Sequence, residues 1–357
     1  MENALQTEPI EKVIEDLAMK VMVTGGAGYI GSILVPYLLK EGVEVEVLDR
    51  FFFGANHLQT LCREYPLTLT RDDVRWFDGR ILEGFDAVVD LAAISNDPAG
   101  ELNQWKTMEI NYLGRSRVAR LAKEARVARY LLVSSCSIYG FQDGIMTEES
   151  PAMPLTTYSR ANLLAEQDNL PLATQDFTST TVRLATAYGM SPRMRFDIAI
   201  NGMVLGAVKY KRIPVMKDGS QWRPFVHVKD VSRAISMILS ADRDLVSGAL
   251  FNIGSDVQNY QIGHLAQLVA ESLPERPQLE WYGAPDTRSY RVSFQKAKKV
   301  LGFDPKYTPA DAAIEIEKAI VGGETSDSIK TNTVEWYKHL LSDPIAGAEV
   351  ALRGIVL

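Results

Sequence analysis

Val21-Met22-Val23-Thr24-Gly25-Gly26-Ala27-Gly28-Tyr29-Ile30-Gly31 decides the fold, because an apolar run passes straight into three glycines set three apart. Such a run suits a strand buried on both faces of a parallel sheet. Residues 30–40 then read as a helix and 42–48 as the next strand. A strand turning tightly into a helix leaves backbone N–H groups and the positive helix end facing one spot, which suits a pyrophosphate. Gly25 lets the chain turn, Gly28 lets phosphate approach the backbone, and Gly31 lets helix pack on strand, with Tyr29 and Ile30 between them. Asp49 ends the second strand, close to the spacing of roughly 20 residues at which a carboxylate meets the adenosine ribose. That carboxylate would repel a 2′-phosphate, so NAD is expected in preference to NADP, with Arg50 next to it as a group to stack on adenine.

Residues 1–18 place Ile10, Val13, Ile14 and Leu17 on one face, and a helical extension is expected ahead of the first strand. Phe51-Phe52-Phe53 reads equally as a shelter for adenine or as a loop anchored in the core. Residues 74–80 are expected as a short strand ending at Asp78 and Gly79, a carboxylate at a height to accept from the adenine amino group. Residues 85–93 form a further buried strand whose end, Leu91-Ala92-Ala93, allows close approach of a ligand. A long helix over 108–127, with Asn111 near its start, leads to a strand over 130–134 and then to Ser134-Ser135-Cys136-Ser137-Ile138-Tyr139-Gly140. This sets a hydroxyl cluster at the carboxyl edge of the sheet, where open α/β sheets bind ligands. A helix over 157–167 carries Tyr158 and Asn162 four apart, hence on one face.

Short apolar strands alternating with helices over 19–188 predict an α/β protein with a doubly wound parallel sheet. The alternation fades after Gly189, and 189–322 are expected to form mainly a smaller α/β substrate-binding region. It holds Arg193 and Arg195, a strand over 213–216, the run Arg223 to Asp230 with Asp230 as a helix cap, and a loop with Asp286 and Arg288. Segments around 225–255 are expected to return to the main sheet, and 323–357 read as a C-terminal tail.

Of 357 residues only Cys62 and Cys136 are cysteines, which excludes a disulfide framework and points to a reducing compartment. A net charge of −7 without a basic run argues against nucleic acid as a partner. No apolar run spans a bilayer and the N-terminus is not a leader, so a cytoplasmic protein without a membrane partner is expected. No residue spacing suggests a metal site, and His227 reads as structural.

The glycine run, Asp49, Asp78, Leu91-Ala92-Ala93, Asn111, Ser134-Ser135 before Tyr139-Gly140, Tyr158, Tyr188-Gly189 and the run from Arg223 to Asp230 occur in one order. In that order they resemble the extended short-chain dehydrogenase/reductases that act on nucleotide sugars: epimerases, 4,6-dehydratases and ketoreductases. The resemblance covers roughly residues 19–320 and implies a Rossmann-type domain. It implies that Gly25, Gly28 and Gly31 hold the dinucleotide pyrophosphate, Asp49 its ribose and Asp78 its adenine, with Ala92 and Ala93 beside the nicotinamide ribose. It further implies Ser135 and Tyr158 as catalytic hydroxyls, and Arg223 and Arg288 on the substrate diphosphate; Arg193 and Arg195 read equally as flanking that diphosphate or as solvated surface arginines. Asp286 is implied at the nucleoside ribose. Helices 108–127 and 157–167 resemble the pair through which such proteins form homodimers.

Two positions depart from the family pattern. Asn162 stands where the family has a lysine that hydrogen-bonds the nicotinamide ribose and lowers the tyrosine pKa. An unassisted phenol is only about one part in a thousand ionised at pH 7. Arg160 should leave the opposite helix face, so the oxidised nicotinamide is the expected source of positive charge, with the Asn162 amide offered to the ribose. Asn162→Lys is then expected to leave hydride transfer unchanged or faster. Cys136-Ser137 stand where the dehydratases carry an acid pair, which disfavours dehydration; Cys136 reads as a buried inert thiol or, less expectedly, as an acid/base candidate, and Ser137 as a substrate contact. The expected activity is NAD-dependent epimerisation or keto-reduction of a nucleotide sugar. The alternative that Asn162 leaves open is a catalytically impaired module that holds NAD or a nucleotide sugar.

Overall fold

The computed structural model describes residues 19–284 and 288–357. The helical extension expected over 1–18, and Asp286, lie outside the described residues. Seven strands make one sheet: β1 (Lys20–Thr24), β2 (Glu44–Asp49), β3 (Leu67–Arg71), β4 (Ala87–Asp90), β5 (Arg129–Ser135), β6 (Thr178–Leu184) and β7 (Leu250–Ile253). Their spatial order is β7-β6-β5-β4-β1-β2-β3, every pair parallel. The order reverses between β1 and β4, and the carboxyl ends of strands at such a switch point open a ligand crevice. Val21, Met22 and Val23 are fully buried at the centre, which is why β1 reads as an unbroken apolar run.

The helix Gly31–Lys40 follows the glycine turn directly. Gly25 has φ +69°, and a Cβ there would meet Ala92 N at 2.7 Å, so the turn needs glycine for both backbone reach and space. A Cβ on Gly31 would lie 2.4 Å from Gly26 O, which fixes the close packing of helix on strand.

The third strand departs from expectation. It is Leu67–Arg71, a half-buried edge strand, while 74–76 form a turn and 77–78 are irregular. The long helix also differs: Gln104–Met108 is α, Glu109–Gly114 is a π turn, and Arg115–Glu124 is α again. Helix Val228–Ser240 is capped by the His227 ring, which accepts from Lys229 N at 3.1 Å. Asp230, expected as the cap, instead accepts from the backbone of Lys306 and Tyr307. A smaller core collects Tyr188, Ile200, Val204, Phe225, Leu265 and Ile316 from helices Ala199–Tyr210, Ile262–Ser272 and Pro309–Val321 and neighbouring strands.

The C-terminal residues are not a loose tail. Helices Thr333–Ser342 and Pro344–Val350 bury Trp336, Tyr337 and Leu340 against the core under β4, with Phe52 and Phe53 packed alongside. Trp336 Nε1 donates to Phe52 O at 2.7 Å, and Tyr337 meets the Phe52 and Phe53 rings edge-on at 5.8 and 5.7 Å.

Candidate active site

One cleft of about 950 Å³ runs along the carboxyl edge of the sheet, from the glycine turn to Arg223 and Arg288. Gly25, Gly28, Tyr29, Ile30, Gly31, Asp49, Leu91, Ala92 and Ala93 all line it, as the sequence predicts. The Asp49 carboxylate is fixed by Ala27 N at 3.0 Å and Phe51 N at 2.7 Å. Burial pushes its pKa up, and those two N–H groups pull it back.

Asp78 and Gly79 lie outside the cleft. Asp78 is exposed, caps the turn Gly79–Leu82 and pairs with Arg80 at 2.5 Å; at the expected height the cleft is lined by Asp72, Asp73 and Val74. The error follows from the misplaced strand, since the chain reaches the cleft rim directly after Arg71. Arg50 lines the cleft, yet its guanidinium is committed. It donates to Asp73 at 2.6 Å and to the carbonyls of Val350, Ile355 and Val356, so it ties down the C-terminal segment instead of waiting for adenine.

At the other end, Ser135 closes β5 and accepts from Ser137 N at 3.1 Å, while Tyr158 opens the helix Thr157–Asn169 behind a Thr156 cap. Ser135, Ser137 and Tyr158 line the cleft together. The Ser137 hydroxyl is buried and without a hydrogen-bond partner among the described residues, which suits a ligand hydroxyl. Burial pushes the Tyr158 phenol up, Asp97 adds to this, and Arg115, Ser135 and Asn162 pull it down.

Two catalytic candidates fall away from the cleft surface. Cys136 is fully buried, its Sγ lies against Arg183 O at 3.3 Å, and burial holds the thiol well above its ordinary pKa. It is an inert core thiol, because its side chain faces the opposite side of the strand end from Ser135 and Ser137. Asn162 is also buried and not part of the cleft wall; its amide oxygen faces Arg115, which does line the cleft.

Arg195 holds Asp197 with two hydrogen bonds of 2.9 and 3.0 Å, and Arg288 pairs with Asp97. Arg223 lies over the Tyr290 ring at 5.2 Å and donates to Trp222 O. Arg193 lies 3.6 Å from the centre of Phe53 and donates to Thr333, whose backbone N–H donates to Asp197, so it stands between the aromatic loop and the Arg195–Asp197 pair. Two of its buried N–H groups, Nε and Nη1, have no acceptor among the described residues. With the glycine cradle and Asp49, they fit a dinucleotide whose diphosphate supplies the missing acceptors.

Sequence reasoning missed Asp73, Asp90, Asp97, Arg115 and Tyr337. Asp90 carried a readable signal, since a carboxylate inside a buried strand needs partners. It has them in Thr24 Oγ1 at 2.6 Å, Tyr130 OH at 2.7 Å and Arg115 Nε at 3.5 Å.

A doubly wound parallel sheet, a glycine cradle at its switch point and a Ser/Tyr pair over the same cleft define a dinucleotide-dependent oxidoreductase scaffold. The chain belongs to the NAD dependent epimerase/dehydratase family, whose sequence pattern matches residues 21–254, and so to the extended short-chain dehydrogenase/reductases. A dTDP-glucose 4,6-dehydratase of Streptomyces niveus is 27% identical over 344 residues, which is 90% of this chain and 93% of that protein. UDP-glucuronic acid decarboxylase 6 of Arabidopsis thaliana is 28% identical over 301 residues, 81% and 84% of the two chains. The solved structure of MoeE5 in complex with UDP-glucuronic acid and NAD matches with a TM-score of 0.74 at 29% identity, covering 84% of this chain and 98% of that one.

Proposed function

We propose that the protein is an NAD-dependent enzyme that epimerises a nucleotide-activated hexose or uronic acid, or reduces its keto form. The observation that carries this reading is that Ser135, Ser137 and Tyr158 share one cleft with the glycine cradle at one end and Arg223 and Arg288 at the other. A bound NAD would be held by the glycine turn, Asp49 and Arg193, and would supply a hydride acceptor or donor. Tyr158 takes a proton from the sugar hydroxyl being oxidised, or returns it to the carbonyl being reduced, and the Ser135 hydroxyl orients that oxygen. Arg223 and Arg288 neutralise the diphosphate of the substrate and fix the sugar relative to Tyr158.

Dehydration is disfavoured. It needs a free carboxyl pair beside the ring, and Asp97 and Asp197, which line the cleft with Tyr158, are held in ion pairs with Arg288 and Arg195. Incubating the protein with UDP- and dTDP-linked hexoses and uronic acids, and following epimer formation by NMR, tests the reading. Epimerisation of at least one of them, or reduction of a 4-keto sugar with NADH, is expected; dehydrated product alone would refute it. The impaired-module reading is weaker, because the cleft keeps both hydroxyls and places a buried cation near them.

Asp49 governs the choice of dinucleotide. Asp49→Ser is expected to shift the NADPH-to-NADH affinity ratio upward by about tenfold, about 1.4 kcal/mol, measured by fluorescence titration. Arg50 offers little to a 2′-phosphate, since Asp73 and three carbonyls already occupy it.

A cytoplasmic homodimer fits the exposed Trp105, Leu113, Met153 and Leu155 near the helices Arg115–Glu124 and Thr157–Asn169. Light scattering at micromolar concentration is expected to give twice the mass of the chain, and a monomer would refute the pairing. No helix among the described residues is long and apolar enough to cross a membrane.

A further inference from the structure

Arg115 is the first residue of its helix after the π turn Glu109–Gly114, and its whole side chain is buried. A buried guanidinium offers only N–H groups and needs acceptors for them. Nη2 donates to Asp90 O at 3.0 Å and Val133 O at 2.5 Å, Nη1 donates to Asn162 Oδ1 at 2.9 Å, and Nε lies 3.5 Å from the Asp90 carboxylate. Because the guanidinium accepts nothing, the Asn162 amide must turn its oxygen to Arg115. Its nitrogen then donates to Tyr158 O at 3.0 Å. The side chain at 162 is thus held between Arg115 and the backbone of Tyr158, with its neutral amide also lowering the phenol, and it is Arg115 that brings a charge to the cleft wall beside Tyr158.

We propose that Arg115, clamped by Asp90 and coupled to the Tyr158 helix through Asn162, is the positioning cation of this site and replaces the lysine that the family carries at 162. The proposal rests on Tyr158 being the acid/base group, and it deepens that reading by naming what keeps the phenol usable. A lysine at 162 would point its ammonium at the guanidinium, donor against donor in a buried place, so Asn162 and Arg115 make one unit that excludes lysine. This reverses the sequence-based expectation that Asn162→Lys is harmless. The charged groups that act on the phenol are Arg115, Asp97 with its partner Arg288, and Arg195 with its partner Asp197. Only Arg115 combines a positive charge with a link to the tyrosine's own helix.

The test compares wild type, Arg115→Met, Asn162→Lys and the double variant Arg115→Met/Asn162→Lys. Two readouts are taken: the pH profile of kcat/KM for sugar oxidation, and ultraviolet titration of the phenol as a difference against Tyr158→Phe. Arg115→Met is expected to move both the alkaline-rising limb and the phenol titration up by about one pH unit or more, with KM changed far less than kcat. Asn162→Lys alone is expected to lose at least tenfold in kcat/KM, and the double variant to regain most of the loss. A phenol titration unmoved in Arg115→Met, or a double variant no better than Arg115→Met, overturns the proposal. Should Arg115→Met not fold, Asn162→Leu leaves the bonds to Asp90 and Val133 in place, and an unmoved phenol titration in it has the same force. If instead Tyr158→Phe keeps wild-type turnover, the acid/base reading fails and not this inference alone.

Discussion

Tyr158→Phe is expected to lower turnover by about 10²–10⁴-fold while NAD binding stays within about twofold of wild type. The size follows from what one positioned acid/base group contributes. The selectivity follows from the proposed roles: Tyr158 lines the cleft with Ser135 and Ser137, whereas the dinucleotide is proposed to rest mainly on the glycine turn and Asp49. Burial and Asp97 hold the phenol above its ordinary pKa. In the oxidative direction the reacting form is the phenolate, so the rate should rise with pH through the neutral range and level off only above it. In the reductive direction the phenol is the proton donor, and the dependence inverts. Steady-state turnover from pH 6 to pH 10 in both directions checks the sign, and a bell centred near neutrality for oxidation would show that another group carries the proton.

The fold was legible where one physical rule dominated. β1 combines near-complete burial with a glycine turn whose steric demand only glycine meets, and β2 alternates buried and half-buried residues, so pattern and structure coincide. β3 was missed because an edge strand is only half-buried, and Leu67-Thr68-Leu69-Thr70 is a weaker signal than the aromatic run at 76–77 that drew the strand away. Misplacing it also put the expected carboxylate at Asp78, outside the cleft, whereas Asp72 and Asp73 line the cleft. The hydroxyl pair was legible because strand end and helix start are local features. Arg115 was not, since its role depends on a π turn that rotates it inward and on partners 25 and 47 residues away, Asp90 and Asn162. Cys136 was read from its place where the dehydratases carry an acid, but a family position along the chain does not fix which face a side chain takes, and here it is buried away from the cleft. The C-terminal helices were invisible as part of the cleft because what joins them is long-range: Arg50 to three carbonyls some 300 residues on, and Trp336 to Phe52.

That long-range clasp leads to the second large effect. Trp336→Ala is expected to destabilise the protein by about 3–5 kcal/mol, the range for truncating a buried aromatic, and to weaken NAD binding by about tenfold. Trp336 is 8% exposed within the core under β4, so its removal opens a cavity that the neighbouring β4 and β5 strands cannot close. It also strips the Phe52 carbonyl of its donor. The binding effect follows because the same helix holds Tyr337 on the cleft wall, edge-on to Phe52 and Phe53, and Thr333 on Arg193. A displaced helix frees the aromatic loop and leaves Arg193 with one partner fewer, so the dinucleotide end loses its shape while Ser135 and Tyr158 keep theirs. Urea unfolding and NAD titration measure the two effects separately. Equal loss of stability with unchanged NAD affinity would mean that the C-terminal helices only support the core. Loss of both, with kcat at saturating NAD near wild type, is the outcome that a clasp over the dinucleotide half requires.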